Sequence, residues 1–155
     1  MREAILIVAG VTLFATVGNI QSGRVDKRAD DPVFGTWKLN VAKSNFDRIP
    51  VTESQTIKYE PWGDGFKATV EIVDERGPLH TETLGKFDGK DYPVIGSRTG
   101  TGTRAWKRID DRTYEVINKV DGKVTGTSKS VVSLDGKTLT ITSIENKTVR
   151  VYEKQ

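Results

Sequence analysis

The sequence predicts an all-β fold, an antiparallel up-and-down β-barrel of about eight to ten strands. Turn signals recur at close and fairly even spacing, and the segments between them alternate apolar with polar residues. Alternation with a period of two is typical of a strand that buries one face. Strands joined in order by tight turns form a meander, and a long meander hides its edges best by closing on itself. The length of 155 residues allows one such domain plus terminal extensions.

The turn signals are dominated by Asp-Gly pairs. Three have the form Asp-Gly-Lys, at 88–90, 121–123 and 135–137, and further polar turns are expected at 62–65, 74–78 and 110–112. Because Asp-Gly supplies the positive φ angles that two-residue hairpins require, each Asp-Gly-Lys is predicted to join two antiparallel strands.

Alternation is clearest where Phe66, Ala68, Val70 and Ile72 share one face of a segment and Lys, Thr and Glu share the other. The same pattern recurs around Ile57 and Tyr59, and around Leu139 and Ile141. The predicted strands lie near 34–41, 53–60, 65–74, 79–87, 90–95, 101–109, 112–120, 123–133, 137–145 and 147–154.

Two other all-β architectures compete with this barrel. A two-sheet sandwich would need longer connections for its crossings than these turns provide. An outer-membrane barrel would need an apolar outer band, whereas Lys, Glu and Thr occupy the faces opposite the apolar ones. The sequence therefore favours a water-soluble barrel.

The N-terminus predicts export. Residues 4–18 are almost entirely apolar, which is short for a membrane span and suitable for the apolar region of a secretory signal. We expect residues 1–18 to be a signal peptide, with a retained N-terminal anchor as the alternative, and a secreted or periplasmic protein without a stable membrane span after cleavage. Residues 19–32 are polar and predict a flexible lead-in to a barrel domain at 33–155.

Composition narrows the function. The chain has no cysteine, so an exported form would depend on main-chain pairing rather than disulfides. The net charge of +3 is spread along the chain without a basic stripe, so no nucleic-acid partner is expected. His80 is the only histidine and has no ligand or nucleophile pattern around it, so we expect no metal, no cofactor and no enzyme activity.

Two end segments carry a family resemblance. Phe34-Gly35-Thr36-Trp37-Lys38-Leu39 and the closing segment 148–154, with Arg150 and Tyr152, resemble the first and last strands of cytosolic fatty-acid-binding proteins and, more loosely, of lipocalins. The opening Gly-Thr-Trp-Lys-Leu-Asn also resembles that of exported, uncharacterised bacterial lipocalin-like proteins. The resemblance implies a barrel that holds a small hydrophobic or amphipathic ligand.

The chain departs from the fatty-acid-binding proteins between the first two strands. That family carries a helix-turn-helix lid there, whereas here only residues 42–52 intervene. The segment 41–46 is compatible with one helical turn, which Pro50 would stop. We therefore expect a barrel without a full helical lid.

The resemblance implies that Arg150 and Tyr152 hold a ligand carboxylate and that Lys129 supplies a second cation. Trp106 is a candidate lining residue, while Gly35 and Trp37 are expected to close the barrel structurally. The competing interpretation turns Val149 and Val151 inward and leaves Arg150 and Tyr152 on the surface, or stacks Arg150 on Trp37 to plug the barrel end. A filled barrel that acts as an envelope or protein-interaction module is the alternative function.

Overall fold

The computed structural model describes residues 30–45 and 52–155, and the predicted signal segment at 1–18 lies outside them. This part of the chain consists of ten strands. They are β1 Gly35–Asn45, β2 Thr52–Trp62, β3 Gly65–Asp74, β4 Gly77–Gly85, β5 Asp88–Pro93, β6 Gly102–Arg108, β7 Thr113–Val120, β8 Lys123–Val132, β9 Thr138–Ser143 and β10 Val149–Lys154. Within residues 30–45 and 52–155 there is no helix of the length and apolarity that a membrane crossing requires.

All ten strands form one antiparallel sheet in the order β4-β3-β2-β1-β10-β9-β8-β7-β6-β5. Strands that are neighbours in sequence pair with each other, and the first and last strands also pair, with Trp37 opposite Lys154 and Leu39 opposite Tyr152. This pairing of β1 with β10 brings the two end segments together. The predicted all-β meander that closes into a barrel is confirmed.

The barrel is nearly closed between the remaining edges, β4 and β5. Glu82 and Ile95 exchange two backbone hydrogen bonds of 3.0 and 2.9 Å across this seam. The next hydrogen-bonded pair of such an antiparallel ladder would join Leu84 to Pro93. Proline has no N–H to donate, so the ladder ends there.

Two local predictions were wrong. Asp88-Gly89 does not form the turn between β4 and β5: both residues lie in β5, where the pairing with β6 shifts register and Gly89 has a φ of 76°. The segment 41–45 is strand rather than a helical turn, because it continues β1. By contrast Asp121 and Gly122 have φ angles of 49° and 76°, as expected for a two-residue hairpin turn.

Contacting aromatic rings are clustered at one end of the barrel, which we call the closed end. The Phe66 ring meets Trp106 edge-on at 5.0 Å between centroids and stacks on Phe87 at 4.4 Å, and Phe87 lies 5.0 Å from Tyr114. Gly85 permits this cluster, since a Cβ there would lie 3.3 Å from atoms of both Phe66 and Trp106. Aromatic side chains therefore form the core of the closed end.

The start of the described chain seals the same end. The buried Asp31 accepts hydrogen bonds from the Tyr114 hydroxyl and the Arg108 guanidinium, and its backbone carbonyl accepts the Phe34 N–H at 3.0 Å. Arg108 in turn lies over the ring of Phe87 at 4.9 Å. Residues 31 and 32 thus belong to the barrel domain rather than to a flexible lead-in, because a buried carboxylate anchors them.

Candidate functional site

The other half of the barrel encloses a cavity of about 560 Å³. This volume falls within the range of about 300–1,000 Å³ typical of small-molecule sites. It extends to the end of the barrel where the β3–β4 and β7–β8 turns lie, which we call the open end. The side chains and backbone that line it come from Gln55, Ile57, Tyr59, Val70, Ile72, Arg76, Leu79, Thr81, Arg104, Val116, Asn118, Thr125, Gly126, Ser128, Ser130, Ile141, Arg150 and Tyr152.

The charged side chains among these lining residues are all positive. Arg104 and Arg150 contribute cations, Arg76 contributes a third that is paired with Asp74 beside the cavity, and no Asp or Glu is among the described residues that line it. A charge removed from water is stabilised by an opposite charge and by hydrogen bonds. The electrostatic character of the cavity therefore favours an anion.

Arg104 is the interior cation that sequence reasoning missed. Its Nε donates to Asn118 Oδ1 at 2.7 Å, and its guanidinium carbon lies 5.6 Å from the centroid of the Trp106 ring. Burial lowers the pKa of Arg104, an effect that nearby Tyr59 opposes. Its signal in the sequence was its spacing: residues two apart share a strand face, so Arg104 follows Trp106 inward.

Arg150 and Tyr152 both face the interior. Tyr152 is 1% exposed, and its hydroxyl donates to Gln55 Oε1 at 3.0 Å. Burial raises the pKa of Tyr152, and Arg150 lowers it in part, so the phenol stays neutral and able to donate a hydrogen bond. The competing interpretation, with Val149 and Val151 filling the core, was wrong, since these two valines lie on the other face of β10.

A second buried phenol lies two strands away from Tyr152 in the sheet, across β1. Tyr59 on β2 lines the cavity and packs edge-on against Phe66 at 5.9 Å between centroids. Burial raises the pKa of Tyr59, while Trp106 and Arg104 lower it. Two neutral phenols and two guanidiniums are thus directed into the same space, and all four are hydrogen-bond donors.

Two other predicted site residues lie elsewhere. Lys129 is exposed on the outer face, because Ser128 and Ser130 on either side of it point inward and strand neighbours alternate. Lys129 is therefore not the second interior cation. Trp106 is 1% exposed and belongs to the aromatic cluster of the closed end rather than to the cavity lining.

Gly35 and Trp37 sit where the first strand meets the last. Trp37 is fully buried, its Nε1–H donates to the carbonyl of Val33 at 2.7 Å, and Nζ of Lys154 lies 5.0 Å from its ring centroid. Gly35 has a φ of 131°, which favours glycine, and a Cβ there would lie 2.6 Å from Cε of Lys154. Both residues have contacts that suit barrel closure.

An ion cluster stands at the open end beside the cavity. The side chain of Asp74 is 3% exposed and accepts hydrogen bonds from Arg76 at 2.7 Å and from Arg98 at 2.8 Å. The bonds from Arg76, and after them those from Arg98, hold the pKa of Asp74 well below its usual range. Because Arg98 follows β5 and Asp74 ends β3, this cluster ties together two turns on either side of the seam.

The only histidine lies on the outer surface. His80 bonds through Nδ1 to Glu71, and its Nε2 lies 3.6 Å from Glu82. The hydrogen bond to Glu71 raises the pKa of His80. Across residues 30–45 and 52–155, no group of three or more His, Cys, Asp or Glu side chains is placed to hold a metal ion.

The described residues have a fold like that of fatty-acid-binding proteins, a nearly closed antiparallel β-barrel of ten strands. No protein-family model matches the sequence, and no curated protein sequence matches it. Among solved structures, the chain is similar to the fluorescent protein UnaG. A single-substitution mutant of UnaG aligns with a TM-score of 0.56 and 19% identity over 81% of this chain and 98% of that chain. Wild-type UnaG aligns with a TM-score of 0.54 and 21% identity over 79% and 97%.

Proposed function

We propose that this protein binds a small amphipathic anion, with a carboxylate as the most suitable headgroup, in the cavity of the barrel. The observation that carries the proposal is the pair Arg104 and Arg150, in a cavity that no Asp or Glu of the described residues lines. Guanidinium groups recognise carboxylates through paired charge-assisted hydrogen bonds. The phenol of Tyr152 lies on the same face of β10 as Arg150, and its proton is donated to Gln55 Oε1.

The hydrophobic part of the ligand has a place in the same cavity. Four aliphatic side chains line it from β2, β3 and β4, namely Ile57, Val70, Ile72 and Leu79. Burying apolar ligand area against them contributes roughly 25 cal/mol per Å². An anion with an apolar body therefore satisfies both the cationic and the apolar parts of the lining.

Calorimetric titration with laurate and with 1-dodecanol tests the proposal. The two probes have the same chain length and differ in charge, and charge-assisted hydrogen bonds contribute about 1.5–3 kcal/mol. We expect laurate to bind about 10- to 100-fold more tightly than dodecanol. Equal affinities, or no binding of laurate, would contradict the proposal.

Arg150→Gln tests the assigned residue. The substitution keeps a hydrogen-bonding amide but removes the charge, so laurate affinity should fall by about tenfold or more while dodecanol affinity changes little. Lys129→Gln is the matched control, because it removes one positive charge from the outer face of the same barrel. An equal loss in both variants would mean that net charge, not the interior site, attracts laurate.

We also propose that the protein is exported and acts in the periplasm or outside the cell. The apolar segment at 4–18 and the resemblance of the opening strand to exported bacterial lipocalin-like proteins support this. Fractionation of cells that express the full chain, followed by N-terminal sequencing of the mature protein, tests it. Recovery of a full-length cytoplasmic protein would contradict export.

Binding without turnover is the third part of the proposal. The two side chains most suited to proton transfer are separated by the barrel wall, since His80 is on the outside and Tyr152 is inside. Among the described lining residues, an enzyme on this scaffold would have to rely on the phenols of Tyr59 and Tyr152 for that role. Turnover of any ester or acyl substrate that is lost in Tyr152→Phe would favour an enzyme instead.

A further inference from the structure

The guanidinium of Arg104 is held by a neutral side chain, Asn118 on β7. Nε of Arg104 donates to Oδ1 of Asn118 at 2.7 Å. The nitrogens of an arginine side chain can only donate, so it is the oxygen of the amide that faces Arg104. The contact therefore also determines how the amide of Asn118 is turned, with its NH₂ group directed away from Nε.

Strand register brings these two side chains together. Arg104 and Asn118 lie directly opposite each other in the pairing of β6 with β7. The carbonyl of Gly102 accepts the Val94 N–H from β5, and residues two apart on a strand direct their backbone groups to the same side. Arg104 and Asn118 are therefore a non-hydrogen-bonded pair, the kind in which facing side chains lie closest.

The opposite flank of Asn118 is open. Its partner on β8 is Gly126, and directly after this pair β8 carries one extra residue, Thr125, as a β-bulge. A Cβ at Gly126 would meet no atom within 4 Å beyond the adjacent residues. Asn118, Thr125 and Gly126 all line the cavity, so the space beside the amide belongs to the cavity. Bulges commonly lie next to functional sites, because they redirect nearby side chains.

The bond through Nε decides which edge of the guanidinium a ligand can use. A guanidinium can pair with a carboxylate through Nε and one terminal nitrogen, or end-on through the two terminal nitrogens. Nε of Arg104 is already occupied by Asn118. Within residues 30–45 and 52–155, Nη1 and Nη2 make no hydrogen bond, so the end-on edge is the one that a ligand can pair with.

The amide NH₂ of Asn118 supplies donors close to that edge. It belongs to the same small planar group as the oxygen that contacts Arg104, and Nδ2 has no partner among the described residues. A ligand anion that pairs with the terminal nitrogens of Arg104 can accept a further hydrogen bond from Asn118. The pair then offers only donors to the ligand, because the one acceptor of the amide is used by Nε.

We propose that Asn118 is the positioning residue of the anion site: it holds Arg104 by Nε, so that the ligand pairs end-on with Nη1 and Nη2, and it turns its own NH₂ toward the same ligand group. The inference rests on the proposed function, because Arg104 belongs to the anion site. It goes further in giving a neutral side chain on β7 the role of orienting the cation. A purely structural Asn118 would only satisfy a buried N–H.

A double-mutant cycle on laurate affinity, measured by calorimetry, separates these roles. Asn118→Ala should weaken laurate binding about two- to tenfold in the wild-type background. In the Arg104→Met background the same substitution should change affinity little, because there is no guanidinium left to orient. Arg150 and the apolar lining keep binding measurable in that background. No loss in the wild-type background, or an equal loss in both, overturns the inference.

Asn40→Ala is the matched control. It removes another amide that bonds across two strands, since Nδ2 of Asn40 on β1 donates to Oε1 of Glu153 on β10 at 3.1 Å, on the outer face of the barrel. Laurate affinity should be unchanged in this variant. A loss equal to that of Asn118→Ala would mean that any missing amide between strands loosens the cavity, and it would overturn the positioning role.

Asn118→Asp keeps an acceptor for Nε and so tests the site without loosening Arg104. The carboxylate should pair with Arg104 and leave the folded protein at least as stable in urea denaturation. Laurate affinity should nevertheless fall by more than in Asn118→Ala, because a negative charge replaces the NH₂ group that faces the ligand. Laurate affinity equal to that of the wild type would overturn the inference.

The same titrations separate failure of this inference from failure of the proposed function. If the wild type binds laurate, and Arg104→Met weakens binding while Asn118→Ala does not, the anion site stands and the role of Asn118 is wrong. If the wild type does not bind laurate, the proposed function is wrong, and the inference that rests on it falls as well.

Discussion

The closed end and the open end of the barrel are built from the same strands and differ only in side chains. Along β6 the interior face passes from Trp106 to Arg104, and along β8 it passes from Val132 to Ser130. The backbone ladders run through both halves without a change of partner strand. Whether a part of the barrel interior is packed core or binding cavity therefore depends on the individual inward-facing side chains, not on the backbone of the sheet.

This division separates stability from function. The aromatic cluster at the closed end supplies buried apolar area and tight packing, which stabilise the fold. The open end holds the half-buried guanidinium of Arg104, whose pKa is lowered by burial and whose hydrogen bond goes to the neutral Asn118. Sites that bind charged ligands commonly reduce stability in this way. The predictions below test this contrast, in order of decreasing expected effect.

Phe66→Ala should have the largest effect on stability. The fully buried ring contacts Tyr59, Phe87 and Trp106, and truncation leaves a cavity in a tightly packed cluster, so we expect a loss of about 3–5 kcal/mol in the free energy of unfolding. Urea denaturation measures it. Ile72→Ala is the control from the open end, where the side chain already borders a cavity; a loss as large as that of Phe66→Ala would contradict the contrast.

Asp31→Asn should weaken the seal of the closed end. The change leaves Arg108 without its carboxylate partner, but because Arg108 is partly exposed we expect a loss of only about 1–2 kcal/mol in the free energy of unfolding. Thermal and urea denaturation report it, and the exposed Asp30→Asn is the matched control. Laurate affinity should not change, and a loss of affinity would show that the two ends are coupled.

Asp74 should give the open end a dependence on acid pH. Its folded pKa is depressed below the ordinary 3.8, so its contribution to stability is complete above that value and is lost as the pH falls through the folded pKa. The difference in unfolding free energy between the wild type and Asp74→Asn should therefore be constant near neutral pH and shrink on acidification. A difference that grows in acid would contradict the assigned ion cluster.

Pro93→Val, at the seam between β4 and β5, should have the smallest effect on the free energy of unfolding. The new N–H can donate to the carbonyl of Leu84 and extend the ladder beyond the pair of Glu82 and Ile95. One added hydrogen bond contributes about 0.5–1.5 kcal/mol, part of which the lost rigidity of proline offsets. Hydrogen exchange should show slow exchange of the new amide. Fast exchange would mean that something other than proline ends the ladder.

The sequence predicted the number and approximate location of the strands because each strand has a clear alternation and a polar turn. It failed at Asp88-Gly89, where a turn signal is used as a bulge inside β5. A dipeptide sequence predicts a local backbone conformation, but it does not predict whether that conformation forms a turn or a bulge within a strand. The burial of Asp31 was also not predicted, because its hydrogen-bond partners Arg108 and Tyr114 are more than 70 residues away in sequence.

The candidate site was harder to predict than the fold. Apolar alternation assigns the inward face of a strand correctly at the closed end, but on β10 it would have placed Val149 and Val151 inside. In a barrel with a cavity the interior face is not always the more apolar one. The family resemblance indicated Arg150 and Tyr152, whereas Arg104 required knowledge of which face of β6 carries Trp106.

Arg104→Met tests the central claim, that the open end gives up stability to hold an anion, most directly in one variant. Urea denaturation is measured with and without laurate. Removing the buried charge should raise the stability of the free protein by about 1 kcal/mol and reduce the stabilisation that laurate confers, because ligand stabilisation follows its affinity. A free variant less stable than the wild type, with laurate stabilisation unchanged, would show that Arg104 supports the fold rather than the site.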